Sequence, residues 1–117
     1  MVIEEKVVEE KQEQQITIHS KKQGRDSIVM FFSGRLDTAS TTRLEQKMTP
    51  FLDGTFDITL DFKDLDYISS SGLHVLLHAY KAMSLNKRKL VIRNMNKQVR
   101  DIFEITGFIT LVIEETP

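Results

Sequence analysis

The segment from Ser69 to Gly72, three serines followed by a glycine, holds the side chains best suited to chemistry in this 117-residue chain. Before it, from Phe56 to Phe62, apolar residues alternate with polar ones, which predicts a strand with one buried face. After it, from Leu73 to Met83, apolar residues recur at helical spacing. The serines therefore lie where a strand gives way to a helix, whose first backbone N–H groups lack partners and whose dipole is positive. Such a place favours a phosphate.

Two interpretations of these serines remain open from residue type alone. A serine hydroxyl can accept from the free N–H groups and cap the helix, which stabilises it by about 0.5–2 kcal/mol. Strand-to-helix turns are often rich in serine and glycine for this reason. Capping needs only one serine of the three, so a second hydroxyl is available for a functional role.

Other catalytic chemistry finds little support. A serine hydrolase needs a glycine two residues before its nucleophile and a histidine base, and that nucleophile turn is absent here. His74 and His78 stand four residues apart, a spacing that can hold a metal, but no H-E-x-x-H arrangement surrounds them. We interpret them as a solvated surface pair. The five glycines form no phosphate-binding or dinucleotide motif. We therefore expect no catalytic residue, no metal and no cofactor.

Length and composition indicate one ordinary globular domain, with 40% hydrophobic and 28% charged residues. The net charge of −1 argues against bulk binding to nucleic acid. There is no cysteine for a disulfide, and the opening MVIEEKVVEE has neither the basic nor the apolar region of a signal peptide. We expect a cytoplasmic protein that does not insert into membranes.

A basic run from Lys87 to Arg100 contains six lysines and arginines and no acid. It could form a patch for an anionic partner, and an acidic protein surface fits better than nucleic acid. A strand and a helix would point these side chains in different directions, so we favour a solvated face.

The periodicities predict an α/β domain with a mixed, mainly parallel sheet and the order β-β-α-β-α-β-α-β. Residues 1–14 are read as an acidic, mobile or weakly helical extension, with a short docked helix as the alternative, and residues 15–117 as the domain. The predicted strands are a first one from Ile16 to about Ser20, then Ser27–Ser33 closed by Gly34, Phe56–Phe62, Lys89–Arg93 and Phe108–Ile113.

Three helices are expected between these strands. The first is capped by Asp37 or Thr38 and ended by Pro50. The second follows the serines, after a polar link over Lys63–Asp66. The third is capped by Asn94 or Asn96, ends at Gly107, and turns Val99, Ile102, Phe103 and Ile105 inward.

Four motifs of this chain together resemble those of the anti-sigma-factor antagonists, which are single STAS domains (sulphate transporter and anti-sigma-factor antagonist). They are Phe32–Asp37 (FSGRLD), Ile58–Phe62 (ITLDF), Tyr67–Leu73 (YISSSGL) and Ile102–Phe108 (IFEITGF). The resemblance covers about residues 15–113, in order and at compatible spacing. It implies an α/β domain that binds an anti-sigma-factor serine kinase and thereby frees the sigma factor.

The resemblance also implies a switch. In the family the kinase phosphorylates the residue after an acid, which corresponds to Ser70 here, and a phosphatase of the PP2C type reverses it. Ser69 occupies the place of the acid, and Ser71 and Ser69 are the fallback acceptors. The partner-binding positions implied are Gly34, Leu36, Asp37, Ser69, Ser70, Ser71, Gly72 and His74. We expect a monomer when the protein is free, and a missing or very short C-terminal helix.

A second function remains open for the same domain. A STAS domain can also serve as a cytoplasmic subunit of a membrane transport system, in particular a lipid-trafficking ABC transporter. Ser70 would then be a hydroxyl at an interface with a transporter subunit. The partner recovered with the protein would distinguish the two, since one predicts a histidine-kinase-like ATPase and the other a permease or transport ATPase.

Overall fold

A single five-stranded sheet, in the order β1-β2-β3-β4-β5, forms the centre of the fold. The structure is a computed structural model that describes residues 16–115. Strand β1 runs antiparallel to β2, and every later pairing is parallel. The predicted fold class and element order are confirmed. The strands are β1 Ile16–Lys22, β2 Ser27–Leu36, β3 Asp57–Ile68, β4 Leu90–Arg93 and β5 Ile113–Glu115.

Three α-helices connect the parallel strands: α1 Thr41–Met48, α2 Ser70–Leu85 and α3 Lys97–Ile105. Short 3-10 segments stand at Thr38–Ser40, Thr49–Phe51 and Phe108–Thr110. Pro50 lies in the second of these, so α1 stops before it as expected. The Asn96 side chain accepts from the N–H of Val99 at 2.8 Å and caps α3.

The hydrophobic core lies between the helices and one face of the sheet. Ile28, Met30 and Phe32 of β2 point to that face, beside the alternating apolar residues of β3. Phe62 meets Phe32 edge-on at 5.1 Å between ring centroids, and Phe103 of α3 packs on its other side at 6.3 Å. These contacts join β2, β3 and α3 in one core.

Two predicted strand ends are wrong, and bulges in β3 explain the first. Lys63–Asp66 is not a link, because β3 continues through it to Ile68. Strand β2 likewise passes Gly34, whose φ is +107°, and ends at Leu36. The pairing of the two strands shifts register between Phe31 and Ser33 and again between Gly34 and Arg35. An extra residue in a strand breaks the alternation that reveals it in sequence.

The C-terminal prediction needs two corrections. Phe108–Thr110 forms a 3-10 turn, and the last strand covers only Ile113–Glu115. Ile105 does not point inward, since its side chain is 82% exposed. Gly107 does end the helical segment in the left-handed conformation, with φ +79°, as expected. The predicted extension over residues 1–14, and the domain boundary at residue 15, lie outside the described residues.

Candidate functional site

Two loops meet at the carboxyl edge of the sheet, one after β2 and one after β3. The N–H of Ser69 donates to the carbonyl oxygen of Leu36 at 2.8 Å. A Cβ on Gly72 would come within 2.9 Å of Leu36 Cγ and 3.2 Å of its carbonyl oxygen, and Leu36 is fully buried. Gly72 is therefore required by the close approach of the two loops.

Ser69 caps helix α2. Its backbone is extended, with φ −88° and ψ 168°, and its hydroxyl accepts from the N–H of Gly72 at 3.1 Å. Its carbonyl accepts from the N–H of Leu73 at 2.9 Å. Serine and aspartate are both good N-cap residues, so Ser69 supplies the structural role of a capping acid without its charge.

Ser71 belongs to a hydroxyl network that joins the two loops. Its Oγ lies 2.9 Å from Oγ1 of Thr38 and 3.1 Å from Oγ of Ser69. Thr38 begins the 3-10 turn after β2, so this contact crosses between the loops. The Ser71 hydroxyl is thus engaged on both sides.

Ser70 differs from both neighbours. It is the first residue of α2 and its side chain is exposed. Within residues 16–115 its hydroxyl has no hydrogen-bond partner. Of the three serines, Ser70 alone presents a hydroxyl to solvent at the helix start without a structural bond to break.

Asp37 and Gly34 take structural positions beside the serines. The Asp37 carboxylate accepts from the N–H of Ala39 at 3.1 Å, and the Asp37 backbone N–H donates to the Ser40 hydroxyl at 2.9 Å, which closes a capping box on the 3-10 turn. This half-buried carboxylate holds the loop that carries Thr38. Gly34 pairs with Leu65 inside the sheet and takes no part in the bonds between the loops.

An apolar groove of about 360 Å³ begins at Ser70 and runs along α2. One wall is formed by Leu73, His74 and Leu77, and the other by the segment from Thr106 to Leu111. His74 is exposed, one helical turn beyond Ser70 on the same side. The predicted position His74 therefore does lie beside Ser70.

His74 and His78 are exposed, and four of the six basic residues from Lys87 to Arg100 make ion pairs. The His74 and His78 rings lie 6.2 Å apart, and residues 16–115 contain no group of three or more side chains that could hold a metal. In the basic run, Arg88, Arg93 and Arg100 each pair with acids of other elements. Lys97 pairs with Asp101 within its own helix. These pairs favour the solvated face over a free basic patch.

Sequence reasoning missed Thr38 as a contact of the serines, and it missed the far wall of the groove. In the sequence Thr38 stands out only as a candidate helix cap, because its contact with Ser71 spans 33 residues. The wall, Thr106–Leu111, overlaps a segment read as a strand. The only sequence signal for this wall is its overlap with the IFEITGF motif, which ends at Phe108.

No helix within residues 16–115 is long and apolar enough to cross a membrane.

The family model for the STAS domain matches residues 18–116. The anti-sigma-B factor antagonist of Staphylococcus aureus is 35% identical over 75 residues, which cover 63% of this chain and 69% of that protein. This chain therefore belongs to the STAS domain family, among the anti-sigma-factor antagonists.

Solved structures show the same fold. The unphosphorylated form of the anti-sigma factor antagonist SpoIIAA matches with a TM-score of 0.75 at 19% identity, covering 86% of this chain and 89% of that one. The phosphorylated form of SpoIIAA, a Bacillus cell fate determinant, matches with a TM-score of 0.69 at 19% identity, covering 86% and 92%. At this identity the likeness concerns the fold alone.

Proposed function

We propose that this protein is an anti-sigma-factor antagonist that binds an anti-sigma-factor serine kinase and is switched off when that kinase phosphorylates Ser70. Binding occupies the kinase and frees the sigma factor, and a PP2C-type phosphatase restores the active form. The protein performs no catalysis of its own in this scheme. It acts in the cytoplasm, as a monomer when free.

The exposed hydroxyl of Ser70 is the observation that carries this proposal. Phosphoryl transfer needs an oxygen that can reach the active site of another protein. Ser69 caps α2 through its hydroxyl, and Ser71 bonds to Thr38, so modifying either one would cost contacts that hold the loops together. Modifying Ser70 costs no such contact.

The folded protein can accommodate a phosphate at this position. Phosphoserine carries about −1.5 to −2 charges at neutral pH, and the start of a helix favours negative charge. Because Ser69 already accepts from the N–H groups of Gly72 and Leu73, the N–H groups of Ser70 and Ser71 are the remaining donors of the first helical turn for the new phosphate. SpoIIAA adopts this fold in both its phosphorylated and unphosphorylated forms, which supports a switch without refolding.

The same phosphate would prevent docking. A surface formed around the neutral Ser70 hydroxyl would have to take up a strongly hydrated anion, which is unfavourable where water is excluded. The groove beside Ser70 is lined mainly by apolar side chains, with His74, Thr106 and Thr110, and its lining includes no lysine or arginine to pair with the phosphate. The modification therefore acts on binding and leaves the architecture unchanged.

The direct test is phosphorylation of the purified full chain by the histidine-kinase-like ATPase encoded nearest to it, with ATP and mapping by tandem mass spectrometry. We expect a single phosphate on Ser70 and none on the Ser70→Ala variant. Ser71→Ala and Ser69→Ala are the matched controls, and both should still be modified at Ser70. A phosphate that persists in Ser70→Ala, or no transfer to the wild type, would contradict the proposal.

A pull-down with the full chain distinguishes the alternative function. Capture of a permease or a transport ATPase instead of the kinase would favour a role as a transporter subunit.

A further inference from the structure

Ser70 and His74 occupy the same side of helix α2. They stand four residues apart, a spacing at which helical side chains are neighbours with about 5–6 Å between their Cβ atoms. Both are exposed, and both line the groove that begins at Ser70. Side chains on a helix lean toward its N-terminus, so a residue at the position of His74 leans back toward Ser70. A larger group on the Ser70 oxygen would therefore come within reach of the imidazole.

His74 has free capacity for a new contact. Among residues 16–115 its imidazole has no hydrogen-bond or ion-pair partner, and the centre of the His78 ring lies 6.2 Å from the centre of its own ring. An exposed imidazole has two ring nitrogens that can bond, and both are donors when the ring is protonated. His74 can thus take a partner without losing one.

The groove offers a phosphate on Ser70 a single cation. Its other lining residues are apolar or uncharged, namely Leu73, Leu77 and members of the segment Thr106–Leu111, so His74 alone among them can carry positive charge. Helix α2 contains no acid that could compete for His74. Its one lysine, Lys81, stands two turns further along. The far wall of the groove contains no titratable side chain.

The charged groups of the neighbouring elements have other surroundings. The Asp37 carboxylate caps its own 3-10 turn, and Arg35 is held against an aromatic ring of β3 at 4.4 Å. Glu45 of α1 lines a separate groove together with His78. Asp66, near the end of β3, is exposed. His74 is therefore the basic group best placed to meet a phosphate on Ser70.

We propose that His74 is the counter-ion of phosphorylated Ser70 and holds the phosphate along the first turns of α2, at the mouth of the groove. This inference rests on the proposed function, because it concerns the form that the kinase would produce. Phosphoserine presents about −1.5 to −2 charges and three acceptor oxygens at neutral pH. A bond from a protonated imidazole to such an oxygen is charge-assisted and stronger than a neutral one. The pair stabilises the phosphorylated form and covers the entrance to the apolar surface beside it.

Phosphoserine incorporated at position 70 during synthesis of the full chain tests this pair without the kinase. A nearby positive charge favours the doubly charged phosphate and so lowers its second pKa from about 6. In a phosphorus NMR titration, we expect this pKa to be at least about 0.3 lower with His74 present than in His74→Gln, a difference of about 0.4 kcal/mol. His74→Lys keeps a positive charge and should restore the lower value.

The matched control is His78→Gln, an exposed histidine one turn further from the phosphate, which should leave the phosphate pKa unchanged. Circular dichroism should be the same in all these proteins, because both histidines are exposed. The same pKa with His74 and in His74→Gln would overturn the proposal. An equal rise in His78→Gln would also overturn it, since the effect would then belong to the general field of the helix.

The failure of this pair can be told apart from a failure of the proposed function. Because the phosphate is installed during synthesis, the titration does not depend on whether the kinase modifies Ser70. A kinase that leaves Ser70 unmodified would contradict the proposed function and would not change the titration. A phosphate pKa that ignores His74 would overturn the pair and leave Ser70 as the acceptor.

Discussion

The hydroxyls of Thr38 and Ser71 lie 2.9 Å apart, across the gap between the loop after β2 and the start of α2. This contact gives two adjacent serines different surroundings. Ser71 faces the neighbouring loop and holds it, whereas Ser70, one residue earlier on the helix, faces solvent. The assignment of Ser70 as the acceptor thus has a basis in geometry that is independent of its place in a motif.

Two substitutions at Ser69 should separate the effect of its capping hydrogen bond on stability from the effect of a charge at the helix start. Ser69→Ala removes the acceptor for the Gly72 N–H, and we expect it to lower the free energy of unfolding by about 1 kcal/mol. Ser69→Asp keeps an acceptor and adds a charge that the helix start favours, so its stability should equal or exceed the wild type. Denaturant unfolding followed by circular dichroism measures both. Equal losses in the two variants would show that Ser69 does not act as a cap.

Adding one methyl group at Gly72 should destabilise the fold. Alanine favours a helix by up to about 1 kcal/mol over glycine, but its Cβ would lie 2.9 Å from Leu36 Cγ. Overpacking of this kind costs roughly 1–3 kcal/mol, so we expect Gly72→Ala to show a net loss of stability.

The control for this substitution is Ser84→Ala on the exposed side of α2, which should change stability by less than about 0.5 kcal/mol. Shortening the Leu36 side chain tests whether its contact with the new Cβ causes the loss of stability. In a Leu36→Val background, Gly72→Ala should cost less than it does alone, because the two residues share one contact. Strictly additive losses would mean that the contact is not the source.

Asp61 should make the fold sensitive to acid. Burial by itself raises the pKa of this carboxyl, but hydrogen bonds from the Lys63 N–H, Asn94 and Arg93, with the charge of Arg93, lower the pKa overall. A carboxyl whose pKa is lower in the folded state stabilises the protein above its unfolded pKa of about 3.9. That stabilisation is lost as the pH falls through the folded pKa.

Thermal unfolding between pH 2 and pH 6 would measure this effect. The wild type should lose stability steeply as the pH falls below about 4. Asp61→Asn should be less stable at neutral pH, since it leaves Arg93 without its 3.0 Å partner, and should show a flatter curve in acid. Parallel curves for the two proteins would locate the acid sensitivity in other carboxyls.

The sequence predicted the parts of the fold that follow regular periods. The alternation from Ile58 to Phe62 and the helical spacing after Leu73 each identified an element whose burial the structure confirms. The junction between them placed the serines at the start of α2. These signals are local, so one chain is enough to reveal them.

The failures arise where regular periods are interrupted. Bulges near Gly34 add residues to β3 and interrupt its alternation of apolar and polar residues. The last part of β3 therefore could not be recognised from the sequence pattern. The run Phe108–Ile113 is apolar at every position except Thr110, so it matches a buried strand and a tightly packed turn equally well. Phe108 in fact stacks on Phe103 at 5.3 Å, a contact that no local pattern encodes. The link between Thr38 and Ser71 was unpredictable for the same reason.

Calorimetric titration of the kinase with the two forms of this protein tests the central claim most directly. The protein phosphorylated on Ser70 should bind at least tenfold more weakly than the unphosphorylated protein, a difference of about 1.4 kcal/mol or more. Ser70→Asp should be weakened in the same direction with an unchanged circular dichroism spectrum, and Ser70→Ala should bind like the wild type. Equal affinities for the phosphorylated and unphosphorylated forms would contradict the account.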